Sequence, residues 1–310
     1  MRFSLDFSSP RSIYSQLKGP RVLITAGVHG DEYEPMIAAR ELISIIEDKL
    51  IAGSVTIIPV VNSSAYKAGR RFGDDGLDLA RICPGNEAGS NSEKAAALVS
   101  KAIKDSDYYI DMHTGGKEFN IYPLAGYMLH PSEEILHKQQ EMAKAFNLRV
   151  IWGTESSPEG RTLSVARDAG IPAIYVEHGG GEPFNNEVVK SYVQGCLNVL
   201  ISLNMVLPDK KFFSAWQYWV EDYTPQSGHL QSKMPAPAEG IFIPAVVLGD
   251  FIKKGHEWGR IVNIHTKSEH IVVADNNGIV LFIRATSFVR EGSSLGGVLP
   301  VLKPGKTVIE

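Results

Sequence analysis

A chain of 310 residues has room for one large domain, or for a core domain with a small second one. A net charge of −4 without a basic stripe argues against a nucleic-acid partner, and 44% hydrophobic with 21% charged residues is the balance of a globular protein. Cys83 and Cys196 form no pair motif, no apolar run reaches the ~20 residues that span a bilayer, and the N-terminus lacks the apolar stretch of a secretory signal, so a cytoplasmic protein with no membrane partner is expected.

In chain order, RVLITAG (21–27) is β-branched and apolar and predicts a buried strand. Residues 33–50 place Ala38, Leu42, Ile45 and Ile46 at helical spacing, and SVTIIPVVN (54–62) predicts a second strand. A helix is expected over 92–104 with Ser92 as its N-cap, a strand over 107–113, a helix over 132–147, a strand over 170–181 that ends in glycines, and a helix over 186–205. This alternation predicts an α/β domain over 1–208, with a mixed, mostly parallel sheet flanked by helices.

After LPDKK (207–211) turn residues become frequent and apolar runs short, which predicts a small C-terminal all-β barrel or sandwich domain over 209–310. An internal echo supports it. Phe251-Ile252-Lys253-Lys254-Gly255 answers Phe288-Val289-Arg290-Glu291-Gly292, and Trp258-Gly259 answers Leu295-Gly296. The pattern resembles the barrel-sandwich of lipoyl and biotinyl carrier domains, but no lysine attachment motif is present, so an accessory role is implied. An unrelated β-meander is the plain alternative.

The chemistry concentrates at strand ends. In AGVHGDEYEP (26–35), His29 and Glu32 directly follow the first apolar strand; His113 closes the strand at 107–112, and Glu177 ends that at 172–176. Sites in open α/β sheets form beyond the carboxyl ends of strands, so residues from separate segments can converge there. Two imidazoles and one carboxylate make a catalytic zinc set, one Zn2+ per chain, with a fourth position left for water. Glu177 then suits the free carboxylate that relays a proton. Asp31, between the two ligands, is expected to point away, and Glu34 to be solvated or paired. Taken singly, each of these residues is more often an ordinary hydrogen-bonded loop or strand-end group.

Together, GVHGDE, DLAR, DMHTGG and VEHGGG resemble the succinylglutamate desuccinylase/aspartoacylase family, within the zinc carboxypeptidase-like hydrolases, over residues 20–205. The resemblance implies a zinc hydrolase that cleaves the amide bond of a small N-acyl amino acid. It assigns His29, Glu32 and His113 as zinc ligands and Glu177 as general base. It also implies that Arg71 polarises the scissile carbonyl, with Arg70 as the competing choice. Arg81 grips the substrate carboxylate, and Asp78 holds a ligand imidazole, expected to be His29. The chain departs from the pattern at Ala80, where the family usually has asparagine, in two extra residues between Arg71 and Asp78, and at His178. Arg161 is either a contact for a distal carboxylate of the acyl group or a solvated loop arginine, and Tyr122 either lines the pocket or belongs to the core. A metallocarboxypeptidase acting on short peptides and a non-catalytic small-molecule binding protein are the competing readings. The sequence leaves a homo-oligomer open.

Overall fold

The computed structural model describes residues 10–209, 214–229 and 233–310. In chain order the first two-thirds run β1 (Arg11–Tyr14), β2 (Arg21–Thr25), α1 (Tyr33–Lys49), β3 (Ser54–Ile58), α2 (Ser63–Ala68), α3 (Asn91–Lys104), β4 (Tyr108–His113), β5 (Phe119–Met128), α4 (Glu133–Phe146), β6 (Val150–Thr154), α5 (Thr162–Asp168), β7 (Ala173–Gly179) and α6 (Asn186–Ser202). The remainder adds β8 (Tyr218–Asp222), β9 (Gly240–Pro244), β10 (Phe251–Ile252), β11 (Glu257–Val262), β12 (Glu269–Val273), β13 (Gly278–Arg284), β14 (Phe288–Val289), β15 (Gly296–Leu299) and β16 (Gly305–Ile309). Among the described residues no helix is long and apolar enough to cross a membrane.

The main sheet has the order β1-β3-β2-β4-β7-β5-β6-β8-β16. Strands β3, β2, β4 and β7 are mutually parallel, β5 runs antiparallel to β7, and β6, β8 and β16 then run parallel to β5. Helices α1, α4 and α6 cover one face and α3 and α5 the other, each over its own apolar layer. Strands β2, β4 and β7 are therefore enclosed on both sides, which is why their sequences read as continuous apolar runs.

Two details differ from the sequence reading. The N-cap of α3 is Ser90, which forms a capping box with Glu93; Ser92 lies inside the helix, where its hydroxyl donates to Asp75. Strands β5 and β6 and helix α5 also stand where the periodicity predicts no element. Pro123 and Gly126 interrupt the β5 pattern, and the register of β5 against β7 shifts between Ile121 and Leu124.

The C-terminal strands form a β unit whose pairing carries the internal echo. In the first unit β10 pairs with β13, matching Phe251 to Ile279 and Ile252 to Gly278. In the second, β14 pairs with β9, matching Phe288 to Ile241 and Val289 to Gly240. Each half thus lends its short Phe-containing strand to the other. The equivalent residues Trp258 and Leu295 are both fully buried in the shared core. The chain returns across position 208 more than once: β8 and β16 extend the main sheet, and β13 pairs with β5.

Candidate active site

The carboxyl ends of β2, β4 and β7 open into one cavity of about 140 Å3. The turn after β2 brings His29 and Glu32 to it. Gly27 takes a left-handed φ of +66°, and a Cβ on Gly30 would fall 2.0 Å from the carbonyl carbon of Ala65, so the HGDE turn closes against α2 only with glycine at position 30. Glu32 is the N-cap residue of α1 but makes no side-chain cap bond. Its carboxylate faces the two imidazoles instead.

His29, Glu32 and His113 are all buried, and one ligand atom from each lies within 4.8 Å of the others. Glu32 Oε1 is 2.6 Å from His29 Nδ1, and Oε2 is 3.0 Å from His113 Nδ1. On the far side of each ring stands an aspartate: Asp78 Oδ1 at 3.2 Å from His29 Nε2, and Asp111 Oδ2 at 3.1 Å from His113 Nε2. A carboxylate only accepts, so this network puts a hydrogen on each Nε2. In a neutral ring Nδ1 then presents a bare lone pair. Two such lone pairs turned on one carboxylate at these distances repel unless a cation lies between them. A proton on the imidazole or a shared metal ion supplies it, so the donor set fits a divalent cation.

The electrostatics carry the same demand. Burial opposes ionisation of Glu32, but His29 and His113 outweigh it and hold the carboxyl below its usual range. Burial likewise opposes charge on His113, while Asp111 and Glu32 raise its pKa well above the ordinary value. Asp111 is completely buried, yet His113, Thr162 and Thr25 keep its pKa low: Thr25 Oγ1 donates to Oδ1 at 2.7 Å and Thr162 Oγ1 to Oδ2 at 2.5 Å.

Glu177 sits beside His113 in the β4–β7 register and lines the same cavity. Burial pushes its carboxyl well above the usual range, with His113 pulling the other way, and its Oε2 is buried without a hydrogen-bond partner. Arg71 also lines the cavity. Its Nε and Nη2 lie 3.1 and 3.0 Å from Asp78 Oδ2, and Nη1 is 3.4 Å from His29 Nδ1. Arg70 donates to the carbonyl of Gly73 and is not among the cavity's lining residues. Arg81 and Arg161 both reach the cavity, and burial lowers the pKa of each. Ala80 lines it too, and Arg81 Nη1 bonds to the Ala80 carbonyl at 2.8 Å.

Tyr122 is not brought to the cavity. It packs with the apolar cluster between β5 and the C-terminal strands, where a Cβ on Gly249 would touch its ring. His178 faces the opposite side from Glu177, its Nδ1 3.0 Å from Ser191 Oγ. Asp31 accepts from the Lys117 backbone amide, and Glu34 is paired rather than solvated: it is buried and accepts from the Asn185 backbone amide.

Sequence reasoning missed Asp111, Thr162, Tyr175 and Thr154, all of which line the cavity. Asp111 and Tyr175 carried a usable signal. Each stands two residues before a site residue, His113 and Glu177, on the same strand, and so on the same face. Gly228, from the loop after β8, completes the wall beside Thr154.

The model of the succinylglutamate desuccinylase/aspartoacylase catalytic domain matches residues 18–203. The chain belongs to this family. Among its relatives, the N-alpha-acetyl-L-2,4-diaminobutyric acid deacetylase of Halomonas elongata is 28% identical over 300 residues, covering 95% of this chain and 86% of that protein. A succinylglutamate desuccinylase of Burkholderia orbicola is 34% identical over 110 residues, 30% of either chain. Two solved structures share the fold over 94% of this chain and 88% of theirs. They are a succinylglutamate desuccinylase/aspartoacylase from Rhodobacter sphaeroides, with a TM-score of 0.83 at 24% identity, and the product-bound ectoine utilization protein EutE (DoeB) from Ruegeria pomeroyi, at 0.84 and 22%.

Proposed function

We propose that the protein is a zinc-dependent deacylase that hydrolyses the amide bond of a small N-acyl amino acid. The observation that carries this reading is the pair of imidazole nitrogens turned on one carboxylate, with Glu177 on the adjoining strand. His29, Glu32 and His113 would hold the Zn2+, which when bound supplies a Lewis acid for the acyl oxygen and acidifies water. Glu177 takes the proton of the attacking water and passes it to the amine as that leaves. Arg71, fixed by both its contacts to Asp78, aims a guanidinium at the oxyanion. Asp78 and Asp111 hold the two rings in the tautomer that frees Nδ1.

The relatives' names support amide hydrolysis of acylated amino acids. The side-chain preference differs from that in the Halomonas name. Arg81 and Arg161 are the charged groups of the cavity away from the histidines, and two guanidiniums disfavour the cationic side chain of a diamino acid. A carboxylate at that end suits their geometry. The cavity, at about 140 Å3, lies well under the ~300–1,000 Å3 of ordinary ligand pockets. That favours a short acyl amino acid over a peptide. Residues 1–208 act in this reading as the catalytic domain, and 209–310 as an accessory domain that lends Gly228 to the cavity.

The test is amine release from N-acetyl and N-succinyl derivatives of alanine, aspartate, glutamate and 2,4-diaminobutyrate, beside dipeptides, with metal-stripped and zinc-restored protein. Zinc-restored hydrolysis of the acidic acyl amino acids is expected, and His29→Ala should fail to retain zinc. Cleavage of dipeptides without cleavage of acyl amino acids would overturn the proposal.

A further inference from the structure

Four residues stand in one register row across the sheet: Thr25 on β2, Asp111 on β4, Tyr175 on β7 and Gly126 on β5. Two rows on, and so on the same face, stand His113 and Glu177. Tyr175, two positions before Glu177, projects from the same face of β7. What it meets on β5 is a glycine. A Cβ on Gly126 would lie 2.2 Å from Tyr175 Cζ and 2.5 Å from its hydroxyl oxygen. The ring therefore leans across β5 through space that any other side chain at 126 would fill.

That lean carries the hydroxyl away from β4 and toward β6, whose Thr154 lines the same cavity. Strand β6 lies three places from β4 in the sheet, roughly 14 Å at the usual strand spacing. The Tyr175 hydroxyl thus belongs to the end of the cavity remote from His113, an end that Thr154, Gly228 and Arg161 also line. Burial and the neighbouring Glu177 raise the phenol's pKa, so it stays a neutral O–H donor.

We propose that Tyr175 is a specificity-determining residue, its hydroxyl and the Arg161 guanidinium, which line the same cavity, together receiving the terminal carboxylate of the substrate while its ring limits how long that substrate is. Gly126 is the slot that makes this position possible. The inference deepens the deacylase reading and rests on it for the reaction that follows, but the subsite is testable without turnover.

The experiment is calorimetric titration of the zinc-loaded protein with succinate and with acetate, for wild type, Tyr175→Phe and Gly126→Ala. Succinate affinity should fall about tenfold or more in Tyr175→Phe, the loss expected for one hydrogen bond to a charged group. Acetate affinity should stay within about twofold of wild type, the remote donor being out of its reach. Gly126→Ala, which drives the ring out of its slot, should weaken succinate in the same direction. In turnover, Tyr175→Phe should raise KM for N-succinylalanine by a larger factor than KM for N-acetylalanine, with kcat changing less than KM. Equal succinate affinity in wild type and Tyr175→Phe, equal losses for both anions, or no succinate binding by wild type would each overturn the inference. A wild-type protein that binds succinate through Tyr175 yet hydrolyses no acyl amino acid would leave the subsite standing and overturn the deacylase reading instead.

Discussion

Replacing Glu177 by glutamine separates the chemistry from the scaffold. The amide keeps the volume and the position of the carboxyl on β7 but can neither accept nor return a proton. A positioned acid–base group contributes about 10²–10⁴-fold to rate, so kcat should fall by at least that much in Glu177→Gln. Zinc content should be unchanged, because the proposed donor atoms are those of His29, Glu32 and His113, not Glu177. Stability should move the opposite way. Glu177 Oε2 is buried without a hydrogen-bond partner, and burial disfavours its charge. Folding the metal-free protein near pH 7 forces this carboxyl to take up a proton, and glutamine removes that cost, on the order of 1 kcal/mol or more. At this chain length that raises the melting temperature of the metal-free protein by ~2 °C. The assays are single-turnover amine release, metal content by plasma mass spectrometry and calorimetric melting. A variant that keeps kcat within tenfold of wild type, or that loses its zinc, refutes the assignment of Glu177 as proton relay.

Two further outcomes follow from neighbouring residues. Asp111→Asn removes the charge behind His113 Nε2 and should weaken zinc binding about 10–100-fold in competition with a chromophoric chelator; unchanged affinity would show that Asp111 does not support the ring. His178 governs an acid limb of stability. Burial lowers its pKa to about 4 against an ordinary 6.5, so the unfolded chain binds the extra proton between those values and stability falls as pH drops through that window. The loss reaches up to about 3 kcal/mol below pH 4. Denaturant unfolding of His178→Phe from pH 7 to 4 should be flatter than wild type, and parallel curves would refute the account.

The motifs that reach the metal-type cluster are legible because physics writes them locally. Parallel strands enclosed on both faces must be apolar throughout, so a histidine or glutamate at the end of such a run stands out; His29, Glu32, His113 and Glu177 all occupy that place. Within those strands Asp111 and Tyr175 are as informative, since a period of two puts them on the same face as His113 and Glu177. The substrate end is written differently. Its contributors lie on β6, on the first turn of α5 and in the loop after β8, and they meet Tyr175 only because β5 runs antiparallel to β7 with a register shift at Pro123. Nothing local to Thr154 or Gly228 encodes that meeting. Tyr122, by contrast, sits within that same shift, next to Pro123, and ends in the apolar cluster shared with the C-terminal strands. Arg81 illustrates the consequence for specificity. With alanine at position 80, Arg81 Nη1 donates to the Ala80 carbonyl, and both residues line the cavity. In the proposed subsite, discrimination among acyl amino acids falls to the ring of Tyr175 where it crosses Gly126.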